Sequence, residues 1–194
     1  MARVLVVCTG NVCRSPIAEG LLRAALEVRL GDQAPSVASA GTMGWEGSGA
    51  TPEAIEAAAE RGVDIAAHRA RGLRSQEVLA ADLVVAMAQE HADVLRNLTP
   101  ASTFTLKALA RLLEAMPRPG LGQPDEVLTS RVAGADDLRH RGFEGNPHDE
   151  DIMDPLGMPL DTYRAIAWEL DEWCGRLADG LFGRHPARMG SEVD

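Results

Sequence analysis

The sequence predicts a single α/β domain in which a four-stranded parallel sheet is flanked by helices. Short apolar runs alternate along the chain with longer segments of helical periodicity, which is typical of a parallel sheet with right-handed crossover connections. The length of 194 residues fits one domain that buries a sizeable core. A ligand site is therefore expected at the carboxyl ends of the strands, which lie together at one edge of such a sheet.

Four short segments have the composition of buried strands. They are residues 4–7, 36–40, 82–87 and 103–106. The third segment stays apolar from Leu83 onwards, as expected for a strand that helices cover on both faces. These four strands are predicted to form the sheet.

Helices are predicted between the strands and at the end of the chain. The first begins at Ser15-Pro16, because proline is tolerated in a first helical turn, and it ends at Gly31-Asp32. Three others are predicted at residues 52–61, 89–98 and 125–141. A long final helix is indicated by one apolar face, formed by Leu160, Tyr163, Ala167, Leu170, Cys174, Leu177 and Leu181.

Two segments are expected to lie outside the regular α/β pattern. Residues 117–150, which contain several prolines and glycines, are predicted to be an insertion within a domain that spans residues 1–182. A solvated surface segment is one interpretation; a mobile lid or a partner-docking segment is the other, because long loops in compact domains are often functional. Residues 183–194 are predicted to be a flexible tail.

The composition argues against partners that carry many negative charges. The formal net charge is −10, whereas nucleic acids and anionic membranes are bound by clustered lysines and arginines. The apolar run at residues 4–7 is too short to span a membrane. Three cysteines, an odd number, and no apolar signal segment predict a reducing, cytoplasmic location. We expect no nucleic-acid partner and no membrane association.

The segment from Cys8 to Pro16 follows the first predicted strand directly and has the sequence CTGNVCRSP. Backbone N–H groups in such a strand-to-helix loop turn inward and meet the positive end of the helix dipole, which favours an anion. The same field favours a thiolate at Cys8. The planar guanidinium of Arg14 suits two phosphate oxygens at once. The sequence therefore predicts a phosphate-binding loop after strand 1, with a nucleophile at its floor.

Two further interpretations of these cysteines, a structural thiol and a zinc site, are weaker. A buried structural thiol beside an ordinary turn does not explain the strand placement, the spacing and the Ser-Pro pair together. A zinc site lacks ligands, because the third cysteine is Cys174 and no His-x3-His pair accompanies Cys8 and Cys13. There is no Cys-x-x-Cys motif for thioredoxin-type redox chemistry. We expect neither a metal nor a cofactor.

Residues 8–16 resemble the signature of the low-molecular-weight protein tyrosine phosphatases, a metal-free family of cysteine phosphatases. The resemblance covers most of the chain, because it continues through residues 39–42, 45, 68–71, 82–87 and 151–155. In this family the aspartate before the last proline protonates the leaving group, and the resemblance implies that role for Asp154. Without the resemblance, the acidic stretch 149–151 beside a proline turn is typical of solvated loop carboxylates, which is how we interpret Asp151.

The residue types imply a mechanism with a cysteinyl-phosphate intermediate, in which Cys8, Arg14 and Asp154 are the catalytic residues. We expect Asn11 to fix the loop in a left-handed conformation and Ser15 to donate its hydroxyl to the Cys8 sulfur. The substrate-binding residues are predicted to be Thr9, Gly10, Asn11, Val12, Cys13, Ser15 and Trp45. Trp45 is interpreted either as a core residue or, from the resemblance, as a wall of the cleft.

Histidines are given no catalytic role. His68 matches a position of the resembled family and is interpreted as structural. The remaining four histidines, His91 among them, lack sequence neighbours that would make a site.

The expected substrate is phosphotyrosine in a protein or peptide. Tyrosine-directed members usually carry an aromatic residue after Asp-Pro, where Leu156 stands here, and related protein-arginine phosphatases carry a threonine at the position of Val12. The branched apolar Val12 and the indole of Trp45 favour phosphotyrosine, with a protein-arginine phosphatase as the alternative. An arsenate reductase would need further relay cysteines, for which Cys174 is poorly suited. An inactive phosphate-binding module is disfavoured by the joint presence of Cys8, Arg14 and Asp154.

Overall fold

A four-stranded parallel sheet forms the centre of the computed structural model, which describes residues 1–98, 103–143 and 149–184. The strands are β1 (Arg3–Cys8), β2 (Ser36–Gly41), β3 (Leu83–Ala86) and β4 (Thr103–Thr105), in the order β2-β1-β3-β4. All neighbours are parallel, and Val4 of β1 pairs with Val37 on one side and with Leu83 on the other. The predicted sheet is confirmed.

Seven α-helices are described around this sheet. They are α1 (Arg14–Leu30), α2 (Pro52–Glu60), α3 (Ser75–Ala80), α4 (Gln89–Arg96), α5 (Leu106–Ala115), α6 (Pro124–His140) and α7 (Leu160–Phe182). Helices α1, α2, α5 and α7 contribute to the larger core, on one side of the sheet, and α3 and α4 to the smaller one. Successive side chains of β1 lie on opposite sides of the sheet: Val4 and Val6 belong to the larger core, and Leu5 and Val7 belong to the smaller one.

Two of these helices, α3 and α5, were not predicted. Helix α3 has only six residues, too few for a periodic apolar pattern. The fourth strand was predicted to continue to residue 106, but it ends at Thr105, and Leu106 is the first residue of α5. The side-chain oxygen of Thr105 accepts a hydrogen bond from the amide of Ala108 at 3.3 Å, so this threonine caps the helix and ends the strand.

Helix α6 lies in the middle of the segment 117–150. Its residues Leu128, Val132 and Ala135 are buried in the larger core. Its Arg131 is buried as well, and the guanidinium donates hydrogen bonds to the carbonyl oxygens of Leu113, Pro117 and Gly180. The helix is thus tied to α5 and α7 by apolar packing and by a satisfied cation. Residues 144–148 of the same segment and residues 185–194 of the predicted tail lie outside the described residues.

Helix α7 is the longest described helix, with 23 residues. Its predicted apolar face is buried, except that Leu160 at its start is only partly covered. The helix packs mainly on α1, α2 and α5. Among the described residues, no helix is both long and apolar enough to cross a membrane.

Candidate active site

The loop of residues 9–13 connects β1 to α1 at the carboxyl end of the central strand. Asn11 is the one described non-glycine residue with a positive φ, at 58°, which is the left-handed conformation predicted for it. Helix α1 begins at Arg14 and has no acidic residue in its first turn. The positive end of its dipole therefore meets the loop without a competing carboxylate.

The carbonyl groups of this loop are held by the surrounding chain. Four of the five accept hydrogen bonds from backbone amides: Thr9 from Met43 (3.0 Å), Gly10 from Trp45 (3.2 Å), Val12 from Thr51 (3.0 Å) and Cys13 from Ile17 (3.3 Å). The carbonyl group of Cys8, at the end of β1, accepts from Thr42 in the same way (2.9 Å). The amides of residues 9–13, by contrast, donate no hydrogen bond within the described part of the chain. Such a set of unpaired N–H groups at a helix start is an anion-binding concavity.

Asn11 fixes the loop through its side chain, which is fully buried. Its Nδ2 donates to the hydroxyl oxygens of Ser15 (2.9 Å) and Ser39 (2.8 Å), and its Oδ1 accepts from the amide of Arg71 (3.0 Å). The Asn11 carbonyl oxygen lies 2.8 Å from Nε2 of His68, which donates to it. Asn11 and His68 therefore have structural contacts, as predicted.

The close approach of β2 to the loop requires a glycine. A Cβ atom on Gly41 would lie 2.5 Å from the carbonyl oxygen of Thr9, a distance that real side chains do not tolerate. Gly44, with φ at 47°, passes so near Gly72 that a Cβ atom would lie 2.2 Å from its Cα. These two glycines allow the chain to wrap closely around the loop.

The thiol of Cys8 lies at the floor of the loop and is buried. Its sulfur is 2.9 Å from the hydroxyl oxygen of Ser15. Since Ser15 already accepts a hydrogen bond from Asn11, its own proton is available to the Cys8 sulfur. The predicted support of Cys8 by Ser15 is therefore present in the structure.

Arg14 is buried and links three parts of the site. Its Nη1 donates to the carbonyl oxygen of Ile152 at 3.1 Å, and its Nη2 donates to the hydroxyl oxygen of Thr9 at 3.3 Å and to Oδ2 of Asp154 at 2.6 Å. Its Nε is buried and has no partner among the described residues. The described residues accept from three of the five guanidinium N–H groups, so those that remain, at Nε and Nη1, are left for a bound anion.

Asp154 reaches the loop from the segment before α7. Its side chain is 43% exposed, whereas that of its partner Arg14 is only 4% exposed. Two contacts hold the segment: the amide of Ile152 donates to the carbonyl oxygen of Met87 (2.8 Å), and Oδ1 of Asp151 accepts from the amide of Gln89 (2.7 Å). Asp151 is exposed, as expected for a solvated loop carboxylate, and it also caps the start of α4.

A small cavity lies over the loop. It is lined by Cys8, Thr9, Gly10, Val12, Cys13, Arg14, Trp45, Asp154 and Leu156. Trp45 is 46% exposed and is therefore a wall of this cavity and not a core residue. The structure brings together every residue predicted for the site, with Asn11 and Ser15 beneath the loop rather than at its surface.

The sequence interpretation missed His91. This residue of α4 is 1% exposed, and its Nε2 lies 2.9 Å from the hydroxyl oxygen of Thr9. Burial, and next the charge of Arg14, lower the pKa of His91 below its ordinary value. A signal existed in the sequence, because α4 follows β3 and so begins at the same sheet edge as the loop.

All three cysteines are free thiols. The Cys13 sulfur lies 3.5 Å from the hydroxyl of Tyr163 and 3.8 Å from that of Thr51, and burial raises the pKa of the Cys13 thiol. Cys174 is buried between α7 and α1, where it donates to the carbonyl oxygen of Ala18 at 3.8 Å, and burial raises its pKa strongly. Cys174 is therefore neither exposed nor activated.

The arrangement combines a nucleophile, an anion cradle and a carboxylic acid. Attack by the thiol on a bound phosphoryl group, with proton transfer from Asp154, is the chemistry that these groups can perform together. Within residues 1–98, 103–143 and 149–184, no group of three His, Cys, Asp or Glu side chains could hold a metal ion.

A sequence model of one protein family matches residues 3–131, and that family is described as low molecular weight phosphotyrosine protein phosphatase. The chain is 34% identical to the protein-arginine-phosphatase of Geobacillus stearothermophilus over 184 residues, which cover 92% of this chain and 95% of that one. It is 38% identical to the probable low molecular weight protein-tyrosine-phosphatase EpsP of Ralstonia nicotianae over 109 residues, or 56% of this chain and 71% of the other.

Solved structures share the fold. The crystal structure of the low molecular weight protein tyrosine phosphatase from T. tengcongensis superposes with a TM-score of 0.66 at 35% sequence identity. The superposition covers 93% of this chain and 100% of that chain. The family model, in contrast, ends at residue 131, before Asp154.

Proposed function

The chain belongs to the low molecular weight phosphotyrosine protein phosphatase family, and we propose that it hydrolyses phosphotyrosine in proteins through a cysteinyl-phosphate intermediate. Cys8 is the nucleophile, Arg14 and the amides of residues 9–13 bind the phosphoryl oxygens, and Asp154 is the general acid. The observation that carries the proposal is the loop itself. Its unpaired amides surround a thiol at a helix start, which suits a tetrahedral oxyanion better than any other ligand class.

In the first step the Cys8 thiolate attacks phosphorus in line with the ester bond. A P–S bond forms as the P–O bond to the leaving group breaks, and Asp154 gives its proton to the departing oxygen. The negative charge on the phosphoryl oxygens is held by Arg14 and the loop amides, as in other phosphoryl transfers where catalysis is mostly positioning and electrostatics.

In the second step a water molecule attacks the cysteinyl phosphate. Asp154, now a carboxylate, takes a proton from that water, the P–S bond breaks, and inorganic phosphate is released. The hydroxyl of Ser15, 2.9 Å from the sulfur, donates to the thiolate that leaves. This role is supported by the Asn11 contact, which leaves the Ser15 proton free for the sulfur.

The ion pair of Arg14 and Asp154 must loosen when substrate binds. A phosphate dianion competes for the same Nη2 atom that holds Oδ2 of Asp154 and repels the carboxylate. The carboxyl of Asp154 is then released from Nη2 for the leaving oxygen, to which it gives its proton in the first step.

The preference for phosphotyrosine is supported by the cavity walls. Val12, Trp45 and Leu156 present apolar surface beside the phosphate loop, and an aryl ring packs well on such surface. Met43, Met153 and Met158 are close in sequence to Trp45, Asp154 and Leu156, and their side chains are exposed; flexible thioethers of this kind adapt to a protein segment around the phosphorylated residue.

A protein-arginine phosphatase is the second candidate. It is favoured by the relative of that name, which matches 92% of this chain, more than the EpsP protein does. Comparison of kcat/KM for phosphotyrosine and phosphoarginine in one peptide sequence decides between the two. A larger value for phosphoarginine would replace the tyrosine assignment.

Arsenate reduction has less support than either phosphatase activity. An arsenate reductase needs relay thiols, whereas Cys174 is buried and its pKa is raised.

The proposal includes a cytoplasmic location, which fits the free thiols. It also includes phosphorylated protein substrates and no nucleic-acid or membrane partner, which fits the net charge of −10.

The test of the proposed function is turnover of an aryl phosphate by the full chain in the presence of a chelator. Cys8→Ser is expected to abolish turnover while inorganic phosphate still binds, and rapid quenching of the unmutated enzyme is expected to yield a phosphorylated Cys8 peptide. Activity of Cys8→Ser above a few per cent would show that the nucleophile lies elsewhere.

A further inference from the structure

The hydroxyl of Thr9 is contacted from two sides beneath the cavity. Nη2 of Arg14 lies 3.3 Å from its oxygen, and Nε2 of His91 lies 2.9 Å from it. A guanidinium nitrogen can only donate, so the first of these contacts fills one acceptor position of the hydroxyl oxygen.

The surroundings of His91 determine which ring nitrogen carries its proton. Nδ1 is buried without a partner among the described residues, and a buried N–H without an acceptor is rarer and more costly than an unfilled lone pair. Nε2, in contrast, has two oxygens nearby, the Thr9 hydroxyl and Oε1 of Glu90 at 3.4 Å. The proton therefore lies on Nε2, and His91 donates to Thr9.

Both acceptor positions of the Thr9 oxygen are then occupied, and its own proton must be given to a third group. No acceptor for it exists among the described residues. Thr9 lines the cavity beside Cys8 and Asp154, so the free direction of the hydroxyl is towards the place where the phosphoryl group binds.

We propose that the Thr9 hydroxyl donates a hydrogen bond to a phosphoryl oxygen of the substrate, and that His91 is the positioning residue that orients it. This inference rests on the proposed function. Thr9 then contributes through its side chain as well as its amide, and it adds a neutral donor next to Arg14. His91 touches no substrate atom and acts only through Thr9.

The first test is the affinity for inorganic phosphate, measured as competitive inhibition of aryl phosphate hydrolysis. Thr9→Val keeps the shape and removes the hydroxyl, and it is expected to weaken phosphate binding about tenfold or more, as for a lost hydrogen bond to a charged group. Thr9→Ser restores the hydroxyl and is expected to recover most of this loss. His140→Gln, at an exposed position on α6, is the control that leaves the affinity unchanged.

The second test is a double-mutant cycle, which separates orientation from general structural support. His91→Met removes the donor and is expected to weaken phosphate binding about threefold to tenfold when Thr9 is present, and by less than about twofold when Thr9→Val is already made. His91→Gln retains an N–H donor and is expected to stay closer to the unmutated enzyme than His91→Met does. Equal losses from His91→Met in both backgrounds would overturn the positioning role.

The outcomes for Thr9 decide the inference even if a His91 variant fails to fold, which thermal unfolding reveals. If the unmutated enzyme hydrolyses aryl phosphate and Thr9→Val binds phosphate as tightly as Thr9→Ser, this inference is wrong and the proposed function stands. If the unmutated enzyme has no turnover, the proposed function is wrong, and a normal phosphate affinity of Thr9→Val measured by calorimetry overturns this inference as well.

Discussion

Oδ2 of Asp154 lies 2.6 Å from Nη2 of Arg14, although the two residues are 140 positions apart in the chain. Both residues line the cavity together with Cys8, and the contact joins the group proposed to bind phosphate to the group proposed to protonate the leaving oxygen. Substitution of Arg14 should therefore weaken phosphate binding, whereas substitution of Asp154 should slow protonation of the leaving oxygen.

Asp154→Asn removes the proposed acid. We expect hydrolysis of phenyl phosphate to slow by about 10²- to 10⁴-fold, the usual contribution of general acid catalysis. An aryl phosphate with strongly electron-withdrawing substituents, whose phenolate leaves without a proton, should lose far less. The measurement is kcat for both esters. Asp151→Asn is the matched control, because Asp151 contacts the amide of Gln89 and not the cavity; equal losses of Asp154→Asn on both esters would place the acid elsewhere.

Arg14→Lys keeps the positive charge and removes the planar fork. Lysine cannot replace the contacts of Nη1 with Ile152 and of Nη2 with Asp154 while also binding a phosphate oxygen. We expect kcat/KM for aryl phosphate to fall by about 10²-fold or more, as for other donors to a transition-state oxyanion. Near-normal steady-state kinetics in this variant would contradict the assignment of Arg14 as the phosphate-binding residue.

Peroxide is expected to inactivate the enzyme reversibly. It oxidises the Cys8 thiolate to a sulfenic acid, and the Cys13 thiol, which lines the same cavity, then displaces water to form a Cys8–Cys13 disulfide. Since burial raises the pKa of Cys13, this second step should quicken as pH rises. Mass spectrometry of peptides before and after dithiothreitol measures the bond.

Cys13→Ala is the control for the redox prediction. Without Cys13, oxidation of Cys8 should proceed to sulfinic acid, and activity should not return with dithiothreitol. The disulfide is excluded if the unmutated enzyme also yields sulfinic acid at Cys8 while Cys13 remains a free thiol.

Val12→Thr replaces a methyl group by a hydroxyl at the wall of the cavity. We expect the ratio of kcat/KM values to shift from phosphotyrosine towards phosphoarginine, because a hydroxyl can bond to a guanidinium nitrogen and packs less well on an aryl ring. Changes of one group in a pocket are worth about 1 to 3 kcal/mol, so the shift should be about tenfold. Val12→Ala, which loses apolar surface without adding a hydroxyl, tests whether the shift requires the polar group.

His91 should make the folded state sensitive to acid. Its pKa is lowered by burial and by Arg14, while Glu90, Asp154 and Asp151 oppose that shift. The unfolded chain therefore binds a proton at His91 more readily than the folded chain does. As a result, the free energy of unfolding decreases as pH falls below about 6.5.

The expected loss for this one group approaches about 1.4 kcal/mol per pH unit between the unfolded and folded pKa values of His91. Urea unfolding at several pH values, compared between the unmutated chain and His91→Gln, measures it. The difference between the two curves should be constant above about pH 7 and change below about 6.5; a constant difference throughout would show that His91 does not titrate differently on folding.

The parts of the site that sequence reasoning predicted are those encoded locally. The loop 8–16 combines a strand end, a glycine turn and a helix start within a few residues, so its shape follows from local rules. Asp154 is far from the loop in sequence, and only the family resemblance assigned it to the site. His91 was missed because its contact with Thr9 depends on how α4 is aligned at the end of β3, which composition does not reveal.

The fold, like the site, was predicted from the sequence only in part. Strands and long helices were predicted because their apolar periods extend over many residues. The end of β4 was misplaced because Leu106 is apolar and buried in either a strand or a helix, and only the cap by Thr105 distinguishes them. Trp45 was ambiguous for a related reason: an indole suits a core or a cavity wall, and the choice depends on the turn at Gly44 that presents it.

The unpaired amides of residues 9–13 also link ligand binding to folding. Their hydrogen-bonding capacity is filled when an oxyanion binds, whereas the unfolded chain has no such concavity. Any oxyanion that binds the folded chain alone raises its free energy of unfolding, by about 2.7 kcal/mol at a concentration of one hundred times its Kd. We therefore expect the melting temperature to rank phosphate, sulfate and vanadate by affinity without any turnover, and to be higher in buffers that contain phosphate than in buffers that do not.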